Sequence, residues 1–186
     1  MRIKAGILLF VTLLSASLAF AQSDVDFQPK ALVKTLEKSG IEELTGVEEL
    51  TLPKDACTSN GKYFLVTKNN ENEYRYIYIG RVNSCRAGGC SAEHESPTTL
   101  DSEYFDYYIL FDAHKTVQAV KVFNYQATHG YEITAKGWLK QFIGFNGSDS
   151  LKVDKNIDAI SGATISVYAI TADVENKTAL LKKLQL

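Results

Sequence analysis

One stretch of the chain combines residue types suited to holding a phosphorylated ligand: Asp158-Ala159-Ile160-Ser161-Gly162-Ala163-Thr164-Ile165-Ser166. Ser161 and Gly162 read as a turn, because glycine adopts backbone angles that other residues avoid. Apolar residues at helical spacing begin directly afterwards, so Thr164 falls in or beside the first turn of a helix. The opening N–H groups of a helix have no partner within it, and the dipole there is positive. A hydroxyl at that position can hydrogen-bond a phosphate or be esterified by one. The same residues also suit an ordinary cap, since Ser and Thr are common at helix starts and Asp favours the first turn. The residues alone leave both readings open.

Other reactive side chains are fewer. The three cysteines are Cys57, Cys85 and Cys90, and His94 follows close behind the last. Their spacing, Cys-x4-Cys-x3-His with a distant third Cys, does not match structural zinc patterns. Arg86-Ala87-Gly88-Gly89 gives a flexible connection between Cys85 and Cys90. A local disulfide across it would stabilise the fold by about 2 kcal/mol at most, and one Cys would be left over. There is no Cys-x-x-Cys-His for haem attachment, and neither Ser161 nor Ser166 has the companions of an acyl-transfer triad. Gly88-Gly89 is too isolated to be a phosphate loop.

The elements that must position the Asp158–Thr164 segment read as follows. Phe27 to Lys38 has Leu32, Val33 and Leu36 at helical spacing, with Gly40 as a stop. Ile41 to Leu52 reads as a linker into a sheet. Tyr63 to Lys68 and Tyr74 to Val82 are rich in aromatic and β-branched residues, with a turn at Asn69-Asn70-Glu71-Asn72. A polar loop from Asn83 to Ser102 follows. Tyr107 to Phe111 and Val117 to Tyr125 form a second hairpin, turning at Asp112-Ala113-His114-Lys115. In its second strand Val117, Ala119, Lys121 and Phe123 should share one face, and Val120, Val122 and Asn124 the other. Glu132 to Phe142 predicts a helix burying Ile133, Leu139 and Phe142, ended by Gly144. The last helix should run from Thr164 toward Glu175, buried through Val167, Ile170 and Val174. No internal repeat is visible. The predicted class is α+β, a largely antiparallel sheet with flanking helices in a single domain.

The N-terminus reads as a targeting segment. Arg2 and Lys4 precede an apolar run from Ala5 to Leu14, and Ala19-Phe20-Ala21 gives an A-x-A site. Residues 1–21 are therefore expected to be a secretory signal peptide cleaved before Gln22, with an uncleaved membrane anchor as the alternative. Removing them from the 186-residue chain leaves about 165 residues, enough for one domain. With 45% apolar residues it can bury a core, and a net charge of −2 without a basic stripe argues against nucleic acid as a partner.

The Asp158–Thr164 segment resembles the flavin-attachment signature of the FMN-binding-domain family. That family includes the periplasmic G subunit of Rnf electron-transport complexes and the C subunit of the sodium-translocating NADH:quinone oxidoreductase. Its pattern is Asp, two variable residues, Ser or Thr, Gly, Ala, then Thr or Ser. Asp158, Ser161, Gly162, Ala163 and Thr164 fit in order. The resemblance implies that Thr164 carries FMN through a phosphoester bond, made by a separate flavin transferase with FAD as donor. Upstream, Thr128-His129-Gly130-Tyr131-Glu132-Ile133 occupies the place of the family's Glu-Thr-Pro-Gly-x-Gly loop, without the Pro or the second Gly. Thr128 and His129 are thereby candidate flavin contacts. His129 could tune the charge of the reduced flavin, and Trp138 either stacks on the ring or belongs to the core. The similarity covers roughly residues 105–175, so residues 105–186 are expected to be the FMN-binding region. Residues 22–104 would supply the rest of the mature domain.

The function so implied is an exported flavoprotein, periplasmic or otherwise extracytoplasmic, that transfers electrons between membrane-bound or soluble redox partners. No residue is then catalytic in the acid–base sense. One alternative is a flavin-dependent reductase of a small substrate, with His129 or a redox-cycling Cys85–Cys90 pair taking part. Another is an interaction module that keeps the fold without a cofactor.

Overall fold

In the computed structural model the described residues are 25–41, 46–53, 61–67, 73–84 and 103–184. The expected signal peptide, the Asn69–Asn72 turn, all three cysteines and His94 lie outside them.

The strands form one antiparallel sheet whose spatial order follows the chain. They are β1 (Val47–Glu49), β2 (Gly61–Val66), β3 (Tyr76–Ser84), β4 (Glu103–Phe111) and β5 (Val117–Tyr125). Helix α1 (Lys30–Lys38) packs on one face. The other face carries α2 (Lys136–Leu139), flanked by 3-10 turns at Tyr131–Thr134 and Lys140–Phe142, and α3 (Thr164–Lys183). The class is α+β.

Successive strand residues point to opposite faces, so a strand buried on both sides reads as a continuous apolar run. β4 is buried from Phe105 to Phe111 and is apolar there except for Asp106, whose carboxylate pairs with Arg81 at 2.7 Å. Its Tyr108 and Leu110, with Ile77 and Ile79 of β3, pack against Leu32 and Leu36 of α1. Its Phe105, Tyr107 and Ile109, with Tyr78 of β3 and Tyr63 of β2, face Val167, Ile170, Val174 and Leu181 of α3.

Four expectations need correction. The stretch read as a linker contains β1, which pairs with β2 from Val47 opposite Val66 to Glu49 opposite Phe64. Val117 does not share a face with Ala119. The ladder slips between Leu110 and Phe111, and Val117 joins Val120 and Val122 in the α3-side core. Such a bulge shifts the alternation by one residue. The helix expected over Glu132–Phe142 is broken, because Ala135 is extended at φ −64°, ψ 121°, yet Ile133, Leu139 and Phe142 are still buried. Lastly, α3 runs eight residues beyond Glu175, to Lys183, and buries Thr178 and Leu181 on the way. The Thr178 hydroxyl donates to the Val174 carbonyl at 2.8 Å, so a polar residue continues the buried face without an orphaned group.

Candidate functional site

The Asp158–Thr164 segment is held before it presents anything. Ile157 is buried and forms a bridge with Val153, and the Asp154 N–H donates to its carbonyl at 2.9 Å. The Asp158 backbone is gripped from both sides. Its N–H donates to Gln141 Oε1 at 2.7 Å, and its carbonyl accepts Trp138 Nε1–H at 2.8 Å. Trp138 is half-buried and meets Phe142 edge-on, with centroids 5.5 Å apart. Here it is a brace between the core and the motif. The Asp158 side chain itself is exposed.

Gly162 then turns the chain at φ +82°, in the left-handed region that favours glycine. A Cβ built there would meet nothing within 4 Å, so open space lies beside it. The Ala163 N–H donates to the Ile160 carbonyl at 3.1 Å, closing the turn. Ala163 is buried and occupies the cap position, and its carbonyl accepts the Val167 N–H at 2.9 Å. Thr164 is the first helical residue and is exposed, as are Ser161 and Gly162.

This geometry decides against the capping alternative. The cap residue is an alanine, no side chain caps the helix, and the first turn of α3 contains no acidic residue. The opening amides of a 20-residue helix therefore lack a side-chain cap beside the exposed Thr164, with no carboxylate of that turn to repel an anion. The arrangement fits a phosphate.

The loop from Thr128 to Gly130 is brought against the same helix start, through contacts the sequence did not reveal. Tyr125 Oη donates to the His129 carbonyl at 2.5 Å and lies 2.9 Å from Ser166 Oγ, which is 3.3 Å from Ser84 Oγ. A carbonyl can only accept, so Tyr125 commits its one proton to His129. Ser166 must then donate to Tyr125, and Ser84 to Ser166. Burial pushes the Tyr125 phenol above its usual value. The Ser166 hydrogen bond opposes that shift, while the nearby charges of Glu103 and Glu132 add to it. Gly130, at φ +91°, seats the loop; a Cβ there would lie 2.6 Å from Ser166 Oγ and 2.8 Å from Tyr125 Oη.

Of the two candidates in this loop, Thr128 is exposed and donates to Glu103 Oε1 at 2.5 Å, and His129 is exposed and engaged through its backbone carbonyl. Sequence reasoning missed Tyr125 and Gln141, and weighed Ser166 only as a nucleophile. Its one available signal was Ser166's place within the motif. Among the described residues, no group of three or more His, Cys, Asp or Glu could hold a metal ion, and no helix is long and apolar enough to cross a membrane.

Comparison with known proteins bears on the same region. Residues 104–178 match the family model of the FMN-binding domain, a span that opens in β4 and closes within α3. No curated protein matches the chain.

Proposed function

Since residues 104–178 belong to the FMN-binding-domain family, we propose that this chain is an exported flavoprotein holding FMN by a phosphoester bond to Thr164, which passes electrons outside the cytoplasm. The observation that carries the reading is the exposed Thr164 hydroxyl at an uncapped helix start.

Each neighbouring residue has a part in it. Trp138 and Gln141 fix Asp158, Gly162 turns the chain, and buried Ala163 anchors the turn, so that Thr164 faces outward. The opening amides of α3 stabilise a phosphate there by about 0.3–1 kcal/mol each way the dipole is engaged. A covalent link keeps the cofactor on the chain however dilute free FMN is outside the cell. In the attachment step the Thr164 hydroxyl loses its proton and bonds to the FMN-side phosphorus of FAD. The pyrophosphate bond breaks and AMP leaves. The resemblance to the family makes a flavin transferase the expected partner in maturation. The flavin supplies the redox chemistry, and the chain supplies attachment, position and electrostatics. Redox partners, membrane-bound or soluble, would supply and remove the electrons.

The test is coexpression with a flavin transferase, followed by denaturing electrophoresis with fluorescence detection. Wild type and Thr164→Ser should retain flavin fluorescence on the denatured band, and Thr164→Ala should lose it entirely. A dark wild-type band, or a bright Thr164→Ala band, contradicts the proposal.

A further inference from the structure

Beneath α3 the aromatic rings form a ladder that begins at the surface. Tyr131, 67% exposed, meets Tyr125 edge-on with ring centroids 5.6 Å apart. Tyr125 stacks on Phe105 at 5.7 Å, and Phe105 meets Tyr107 at 6.3 Å. Tyr107 continues to Tyr78 at 5.7 Å, and Tyr78 to Tyr63 at 4.9 Å. Phe105, Tyr107, Tyr78 and Tyr63 are fully buried. The ladder enters where Tyr125 Oη lies against Ser166 of α3, and Tyr107 meets Asp173 about 10 Å further along that helix.

Packing alone accounts for the rings. It does not call for what their hydroxyls do. A tyrosine that gives up an electron becomes a strong acid and must shed its phenolic proton. Tyr125 and Tyr63 donate to the carbonyls of His129 and Lys177, and a carbonyl does not keep a proton. The Tyr78 hydroxyl has no partner among the described residues. Of these rungs only Tyr107 donates to a carboxylate, Asp173 Oδ2 at 2.6 Å. Asp173 lies 3.4 Å from Lys177 Nζ and is partly exposed, so a proton received there has a way out to water. Phenylalanine is much harder to oxidise than tyrosine, so Phe105 bridges Tyr125 and Tyr107 without holding the charge itself.

We propose that this ladder carries one-electron oxidising equivalents from the surface at Tyr131 to Tyr107, where they rest as a neutral tyrosyl radical. The oxidant is a high-potential one-electron acceptor that reaches the exposed ring of Tyr131. It takes one electron and is reduced. Tyr125 refills Tyr131, and Tyr107 refills Tyr125 across Phe105. At the end Tyr107 has lost one electron to the oxidant and its O–H proton to Asp173, which becomes the carboxylic acid. Every other ring is back in its starting state. Burial keeps the radical from coupling to a second chain, and the exposed Tyr131 is spared the damage. The inference concerns the chain's own rings and does not rest on the Thr164 attachment.

The test photo-oxidises the full chain with tris(bipyridine)ruthenium and persulfate and reads tyrosyl radical by electron paramagnetic resonance after freezing. Wild type and Tyr168→Phe should give the same long-lived radical, since Tyr168 is 53% exposed and outside the ladder. Tyr107→Phe keeps the ring and should lose the signal. Asp173→Asn keeps the shape and a hydrogen-bond acceptor but takes no proton, and should lower the yield several-fold. Tyr131→Leu should slow the radical's appearance several-fold in time-resolved absorption. Circular dichroism checks the fold of each variant, and the partly exposed Asp173→Asn carries the test should Tyr107→Phe not fold. An unchanged signal in Tyr107→Phe or Asp173→Asn overturns the radical site. An unchanged rate in Tyr131→Leu overturns the route, and a wild-type chain that yields only dityrosine-linked dimers overturns both.

Discussion

The contact between Gly130 and Ser166 shows how much the site owes to single atoms. Alanine at position 130 would have to adopt a φ near +91° and place its Cβ 2.6 Å from Ser166 Oγ. Strain of that kind costs about 1–3 kcal/mol, so Gly130→Ala should lower the denaturant midpoint and detach the Thr128–Gly130 loop from the start of α3. Equilibrium unfolding measures the first effect, and hydrogen exchange at the 128–131 amides the second. An unchanged midpoint would mean that the hydroxyl chain through Tyr125 is not a latch. Thr164 was legible in the sequence, because a Gly turn followed at once by helical periodicity locates the first helical residue locally. Ser166 was not, because its partners Tyr125 and Ser84 lie 41 and 82 residues away and only the folded sheet brings them close.

At the scale of elements, strands with dense β-branched and aromatic residues read correctly because both faces of the sheet are covered. The three-residue β1 was not legible: short and partly acidic, it is a strand only because β2 offers it an edge. Similarly, the pattern Ile133, Leu139, Phe142 suits one helix, but the chain satisfies it with two 3-10 turns and a four-residue α2 around an extended Ala135. The length of α3 was underestimated because the buried face continues after Val174 through a polar residue, Thr178. The final turns nevertheless carry core: Leu181 is completely buried. Leu181→Ala should destabilise the protein by about 2–5 kcal/mol, measured by urea unfolding, as expected for a core leucine. A change below about 0.5 kcal/mol, typical of the surface, would show that this end of α3 is not packed as described.

For the whole molecule, the core under α3 is unusually rich in phenols. Tyr107 donates to Asp173 Oδ2 at 2.6 Å, Tyr63 donates to the Lys177 carbonyl at 2.7 Å, and the rings of Tyr63 and Tyr78 lie 4.9 Å apart. Burial, reinforced by the charge of Asp173, pushes all three phenols far above their ordinary value. In the unfolded chain they titrate near about pH 10. Below that both states are protonated and the stability is fully present. Above it the unfolded state loses protons that the folded state keeps, so stability falls, approaching about 4 kcal/mol per pH unit for three phenols. Alkaline titration should therefore show the phenolate absorbance of these residues rising together with loss of far-ultraviolet circular dichroism. Full ionisation of the tyrosines with an intact dichroism spectrum would contradict this.

All of the functional reading converges on one side-chain oxygen. Tandem mass spectrometry of proteolytic peptides from chain matured with a flavin transferase locates any added group to a residue. The account predicts an FMN adduct on the peptide containing Thr164, at that residue alone. An unmodified Thr164 peptide, or an adduct on Ser161 or Ser166 instead, would contradict it.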